Sequence, residues 1–329
     1  MAAASPSSVR YIDICNGDAD GLCALHQLRL AEPRNAELIT GLKREIGLLS
    51  QVKAEPGLVV TVLDVSLDRN RSALMNLLEA GASVFYFDHH YAGTLPQHEK
   101  LQAVIDFSPG VCTSMLVDRH LDGAFRRWAV VGAFGDNLLT PARELAKTAG
   151  LDPSQQEKLQ ELGAALNYNA YGESESDVAF HPRTLYRLLQ RYRDPLEFHA
   201  NEPATTVLLA RCRDDIAMAE RVAPSYEDAR GAIYKLPDAP WSRRVLGTFA
   251  NRLAARHPQR AHAVLKANAD GSFHASVRAP LDSPHGADAL CRRFVGGGGR
   301  AGAAGFERLP AGELDRFFVE FTQAGWKPQ

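Results

Sequence analysis

Apolar runs alternate with amphipathic stretches through the first two hundred residues. Val9–Cys15 (VRYIDIC) reads as a strand, the turn Asn16-Gly17-Asp18-Ala19-Asp20-Gly21 follows it, and a helix is expected from about Leu22 to Leu30. Leu58–Val65 (LVVTVLDV) is a nearly continuous β-branched run, the pattern of a strand buried on both faces. It closes on Asp64, and Ser66 or Asp68 is placed to cap the next helix. That helix carries Leu74, Leu77 and Leu78 on one side and stops at Gly81. Ser83–Phe87 (SVFYF) reads as a strand running into Asp88-His89-His90, and Leu101–Phe107 as another. Strands joined in this order through helices imply a parallel sheet with right-handed crossovers.

From Leu145 to Arg221 the pattern is largely helical, for example at Leu185, Leu188, Leu189 and Tyr192. Beyond Val222–Asp228 the character changes. Short alternating segments, Ala263–Ala267 and Phe273–Val277, flank Asp270-Gly271, a hairpin signal. A final helix places Leu314, Phe317, Phe318 and Phe321 on one face, a core stripe. The expected fold class is α/β: a parallel-sheet N-terminal domain over 9–221, a linker at 222–229 and a smaller α/β domain over 230–329. No internal repeat of fixed period is present.

Composition changes this picture little. With 329 residues, 45% apolar and 23% charged, the chain can bury two cores. A formal net charge of -2 offers no bulk attraction to nucleic acid, so a polyanion would need a local patch or a metal. Five scattered cysteines without a CxxC pair suggest buried or partly buried free thiols rather than a disulfide framework or a zinc site. The start, MAAASPSSVR, has no apolar signal-peptide core and reads as a frayed tail. No stretch approaches the ~20 apolar residues that span a bilayer. A soluble, cytoplasmic protein without membrane contact is the expectation.

The candidate chemistry lies at the strand ends. Ligands of parallel sheets gather beyond the carboxyl ends of the strands. Asp18 and Asp20 follow one strand, Asp64 closes a second, and His89 and His90 follow a third. Carboxylate oxygens suit Mg²⁺ or Mn²⁺, and an imidazole tilts the choice towards Mn²⁺. Two such ions ~3.5–4 Å apart clamp a phosphoryl oxygen and activate water without a protein nucleophile. Each feature alone has a plainer explanation, since a DxD in a turn is more often a cap than a ligand pair. Three strand ends together reverse that balance. Asp136, after the apolar Ala129–Phe134, joins on a weaker local argument and could be a helix-end residue. No phosphate loop, GxSxG elbow or HExxH helix occurs in the sequence.

In this order the motifs resemble those of the DHH phosphoesterase family: NGDADG (16–21), LDVS (63–66), FDHH (87–90) and GDN (135–137). SVRA (276–279) with GGGGRAGAAGF (296–306) resembles the DHH-associated domain of the oligoribonuclease and single-strand exonuclease branch. The resemblance implies one or two Mn²⁺ or Mg²⁺ ions held by Asp18, Asp20, Asp64, His89 and Asp136, with Asp64 bridging. It implies that Asp88 supports the ligands and that His90 lies near the scissile phosphate. It further implies an active-site cleft between the domains, where Arg278, Gly297, Gly298, Gly299 and Arg300 hold a remote phosphate. Ile14 stands where many relatives carry a histidine, Asn16 where some carry an aspartate, and Arg300 where a histidine usually follows the glycine run. One firm metal position and one weak, Mg²⁺-like or empty position are therefore implied.

The leading functional expectation is hydrolysis of a phosphodiester or phosphomonoester in a small nucleotide or short single-stranded oligonucleotide, with a homodimer as an option. Phosphoanhydride hydrolysis, of pyrophosphate or polyphosphate, is an alternative. So is a non-catalytic nucleotide-binding protein with a degenerate metal site.

Overall fold

The computed structural model describes residues 9–326. The tail expected at the N-terminus lies, for residues 1–8, outside the described residues. The chain divides into two compact units, 1–209 and 210–329. In order, the first contains β1 (Tyr11–Asn16), α1 (Ala19–Ala31), β2 (Glu37–Gly41), β3 (Val59–Leu63), α2 (Leu67–Glu79), β4 (Ser83–Asp88) and β5 (Leu101–Ile105). Helices follow: α3 (Thr113–His120), α4 (Arg126–Gly135), α5 (Leu139–Thr148), α6 (Pro153–Ala170), α7 (Pro182–Leu189) and α8 (Pro195–Asn201). The division falls inside α9 (Pro203–Glu220), N-terminal of the 222–229 segment expected as a linker.

The N-terminal sheet has the order β2-β1-β3-β4-β5, with every pairing parallel. Its strands alternate between two buried cores. Ile14, Val62 and Tyr86 join one core with Leu74, Leu77 and Leu78 of α2. Cys15, Leu63 and Phe87 join the other with residues of α1, α3, α4 and α6. Burial on both faces explains why β3 reads as a continuous apolar run. Ser66 caps α2, its hydroxyl accepting from the Arg69 amide. A bidentate pair from Arg29 to Asp13, at 2.7 Å on both oxygens, ties α1 to β1. Because all five strands run the same way, the ends of β1, β2, β3 and β4 open on one edge.

The second unit holds β6 (Tyr226–Glu227), β7 (Gly231–Leu236), α10 (Pro240–Arg256), β8 (Ala261–Ala267), β9 (Phe273–Arg278), α11 (Ala287–Cys291), β10 (Gly298–Arg300), β11 (Ala303–Leu309) and α12 (Leu314–Gln323). Its mixed sheet has the order β10-β11-β9-β8-β7-β6. The expected hairpin is present, β8 pairing antiparallel with β9 and Gly271 turning at φ +79°. Phe317 and Phe321 of α12 are buried in this unit's core as the stripe predicts, whereas Phe318 is only partly buried. Among the described residues the five cysteines are unpaired, four of them buried, and no helix is long and apolar enough to cross a membrane.

Candidate metal centre

At the end of β1 the helix begins earlier than the expected Leu22. Asp18 is the N-cap of α1, its Oδ1 accepting from the Gly21 amide at 3.1 Å. Asn16 Oδ1 accepts from the Asp18 amide at 3.3 Å. Glycine is required on both sides of this turn. A Cβ at Gly17 would lie 2.1 Å from the Gly41 carbonyl, and one at Gly21 would lie 2.4 Å from the Asn16 carbonyl. Asp20 therefore falls in the first turn of α1. Its Oδ2 and Oδ1 accept from the amides of Thr113 and Ser114, at 2.7 and 2.8 Å, where α3 begins. A helix N-terminus favours such a carboxylate, and each oxygen keeps a lone pair for a cation.

Asp64 follows β3 in the left-handed region, at φ +57°, which costs less for Asp than for most residues. Its amide donates to the Phe87 carbonyl at 3.0 Å, which fixes the turn to β4. Its Oδ1 accepts from the Thr113 hydroxyl at 3.3 Å. His89 leaves β4 with Nδ1 3.0 Å from the Val111 carbonyl. Donation from Nδ1 frees Nε2 as the ligating nitrogen. That Nε2 lies 3.4 Å from Asp64 Oδ1 and 4.0 Å from Asp20 Oδ2. Asp136 is the C-cap of α4, and Asn137 takes the left-handed position beyond it at φ +61°. The helix-end reading of GDN thus describes its backbone, while Asp136 Oδ2 still reaches within 3.9 Å of His89 Nδ1.

Asp88 is fully buried and faces the histidines. Its Oδ1 accepts from the His89 amide at 2.9 Å and from His90 Nδ1 at 2.7 Å. Its Oδ2 is buried without a hydrogen-bond partner among the described residues. His90 is partly exposed and sits 3.9 Å from Asp64 Oδ1. The tightest metal-type grouping is Asp64, His89 and His90, whose ligand atoms lie within 4.8 Å of one another. Asp20 and Asp136 adjoin it through His89, and Asp18 adjoins it through a side-chain hydrogen bond with Asp64. Asp18 Oδ2 accepts from Lys43 Nζ at 2.5 Å.

Burial pushes Asp64 well above the usual carboxylate range, and the neighbouring Asp18 and Asp20 push the same way. Burial also raises Asp136, against the pull of Lys43 and His89. Burial would lower His89, but hydrogen bonding and attraction to Asp64 outweigh it and lift the imidazole to about 10. For Asp18 burial acts upward, yet the Lys43 ammonium wins and holds the carboxyl at about 2. Lys43 is raised well above its usual value, the attraction of Asp18 outweighing desolvation. Four carboxylates, Asp18, Asp20, Asp64 and Asp136, thus confront two cationic side chains, Lys43 and His89. Buried negative charge in excess demands a further cation or protonation. The carboxylates of Asp64 and Asp20 beside His89 Nε2 suit a divalent ion of the Mn²⁺ or Mg²⁺ type, with Asp136 near the Nδ1 side of the ring.

In the C-terminal unit, Arg278 ends β9, its Nε donating to Asn251 Oδ1 at 2.6 Å and its Nη1 to Ser276 Oγ and the Val277 carbonyl at 3.0 Å. The glycine run forms part of a hairpin rather than a free loop: Gly298, Gly299 and Arg300 make up edge strand β10, opposite Gly305, Ala304 and Ala303. Gly299 has φ +141°, and a Cβ at Gly297 would lie 1.8 Å from the Cys291 carbonyl. Arg300 is exposed. Sequence reasoning missed Lys43, Thr113, Ser114 and Val111. Lys43 was findable in principle, because Leu38-Ile39-Thr40 before Gly41 is a short strand signal, and reading it would have brought a fourth strand end to this edge. Cavities of about 480 and 440 Å³ in the N-terminal unit are lined by none of the expected site residues.

No family model matches the chain, and no curated protein matches it in sequence. Solved structures do match. An exonuclease RecJ bound to manganese aligns over 95% of this chain and 89% of that one, with a TM-score of 0.60 and 19% identity. RecJ of Thermus thermophilus in complex with Mn²⁺ gives 0.61 and 19% over 95% of this chain, which spans only 51% of that protein. The pGpG-specific phosphodiesterase PggH of Vibrio cholerae gives 0.55 and 15%, over 95% and 98% of the two chains. At these identities the likeness is one of fold: the chain has a RecJ-like α/β fold, a parallel five-stranded sheet with helices followed by a mixed-sheet domain.

Proposed function

We propose that this protein is a metal-dependent phosphoesterase acting on a phosphodiester or phosphomonoester in a small nucleotide or short single-stranded oligonucleotide. The observation that carries this reading is the buried set Asp20, Asp64 and His89, with the half-buried Asp136 beside it and a surplus of negative charge. The RecJ structures of this fold, solved with Mn²⁺ and with Mg²⁺, support one of these ions as the cofactor. A bound ion of this kind supplies Lewis-acid polarisation of a phosphoryl oxygen and a more acidic water. The chain's own residues do the rest. Asp20, Asp64, His89 and Asp136 hold the ion. Asp88 holds the His90 ring through Nδ1, leaving Nε2 to exchange a proton with the reacting phosphate group. In the C-terminal unit, Arg278, Arg300 and the backbone of Gly298 and Gly299 are the proposed phosphate donors, with Gly297, whose amide donates to the Phe294 carbonyl at 3.0 Å, shaping the approach.

An aromatic pair favours a nucleotide over polyphosphate. Tyr91, directly after His90, is 69% exposed, and Phe107, after β5, is 65% exposed. Their rings meet edge to face at 6.1 Å. Exposed aromatic faces beside a phosphate site stack bases, at about 1–3 kcal/mol per base. Steady-state kinetics with Mn²⁺ on a dinucleotide, a 3′-phosphorylated nucleotide and polyphosphate test this reading. The dinucleotide or nucleotide should be preferred, and Tyr91→Ala with Phe107→Ala should raise its KM by about ten-fold or more. Preference for polyphosphate, with KM for nucleotides untouched by the double substitution, would refute it.

A further inference from the structure

The surroundings of Asp18 do not fit a second divalent ion. Its Oδ2 accepts from Lys43 Nζ at 2.5 Å, so a cation already stands beside the carboxyl. Asn16, the nearest polar side chain on β1, has its Oδ1 turned to the Asp18 amide. Ile14, one step back on the same strand, is fully buried in the core. What stands there instead is a built site for an ammonium group. Lys43 Nζ also donates to Asn167 Oδ1 at 3.2 Å and lies 5.2 Å from the centre of the Tyr171 ring. Its backbone amide donates to the Ala170 carbonyl at 3.1 Å, which pins the base of the side chain. Asn167 and Ala170 form the last turn of α6 and Tyr171 is its C-cap. A helix C-terminus, an amide oxygen and a carboxylate favour a cation, and the aromatic face suits an ammonium group.

We infer that the Lys43 ammonium takes the place of a second divalent ion, so that the centre binds one exchangeable metal and one tethered cation. The inference rests on the metal-centre reading above, and metal counting separates the two. Mn²⁺ titration of the full chain by calorimetry should give one ion per chain. Electron paramagnetic resonance should give an isolated Mn²⁺ spectrum with no spin-coupled pair at excess metal. Lys43→Met keeps the stem and removes the charge. It should admit a second ion or tighten the first by about ten-fold or more, because a positive charge beside the site is lost. Lys43→Arg should stay at one ion, and it guards against a folding defect in the Met variant. Two ions in the unaltered protein would overturn the inference while leaving the metal centre standing, as would a folded Lys43→Met variant with unchanged stoichiometry and affinity. No Mn²⁺ binding at all would overturn both.

Discussion

On the His89 side of Asp64, an imidazole with Nδ1 committed to the Val111 carbonyl presents Nε2 to carboxylates arriving from the ends of β1 and β3, with Asp136 from α4 alongside. On the other side, Asp18 is occupied by an amide and by Lys43. Both sides relieve buried negative charge. One does so with groups that, on the proposed function, exchange a proton for a metal, the other with a cation tethered to the chain. The difference teaches that a cluster of aspartates does not by itself count metals. What each carboxylate touches decides that.

Substitutions on the two sides should therefore move metal affinity in opposite directions. His89→Asn removes the imidazole nitrogen that lies near both Asp20 and Asp64 and should weaken Mn²⁺ binding at least about 100-fold. Lys43→Met should strengthen it. Calorimetric Mn²⁺ titrations of the two variants side by side measure the contrast, and a shift of the same sign in both would dissolve it.

A smaller effect follows from pH. In the metal-free protein His89 holds its proton up to about 10, against an ordinary 6.5. A raised value contributes stability that is complete below 6.5 and is lost as pH climbs through about 10. Asp64, also raised, acts with the same sign, its contribution present at low pH and lost on the way up. Melting temperature without metal should accordingly fall by a few degrees between pH 6.5 and 10. Saturating Mn²⁺, which replaces the His89 proton, should flatten that slope. A metal-free melting temperature that rises over the same window would contradict the electrostatic account of this side.

Much of the arrangement was legible in the sequence for a physical reason. Strands buried on both faces write their boundaries as apolar runs, so β3 and β4 and the polar residues that end them could be read directly. The DxD turn was legible as chemistry but not as local structure. Asp18 caps α1, and Asp20 already lies inside the helix. Asp136 was weakly legible, because a C-cap aspartate and a metal-facing aspartate look alike until the chain is folded. Lys43 was legible only as a residue beyond a short strand signal, not as a partner of Asp18, since its ammonium cradle is assembled from α6, more than a hundred residues away. The backbone donors of Thr113 and Ser114 to Asp20 leave no trace in residue type. In the C-terminal unit the glycine run carried a motif, but its edge-strand conformation depends on pairing with β11.

The central claim, that the Asp20–Asp64–His89–Asp136 cluster is a divalent-metal phosphoesterase centre, is tested most directly by one comparison. Hydrolysis of an aryl phosphodiester is followed with Mn²⁺ present and chelated, in the unaltered protein and in Asp64→Asn. The account predicts turnover that requires Mn²⁺ and falls by about 1,000-fold or more in Asp64→Asn, with the fold retained. Turnover that survives chelation, or that persists in Asp64→Asn at the level of the unaltered protein, would contradict it.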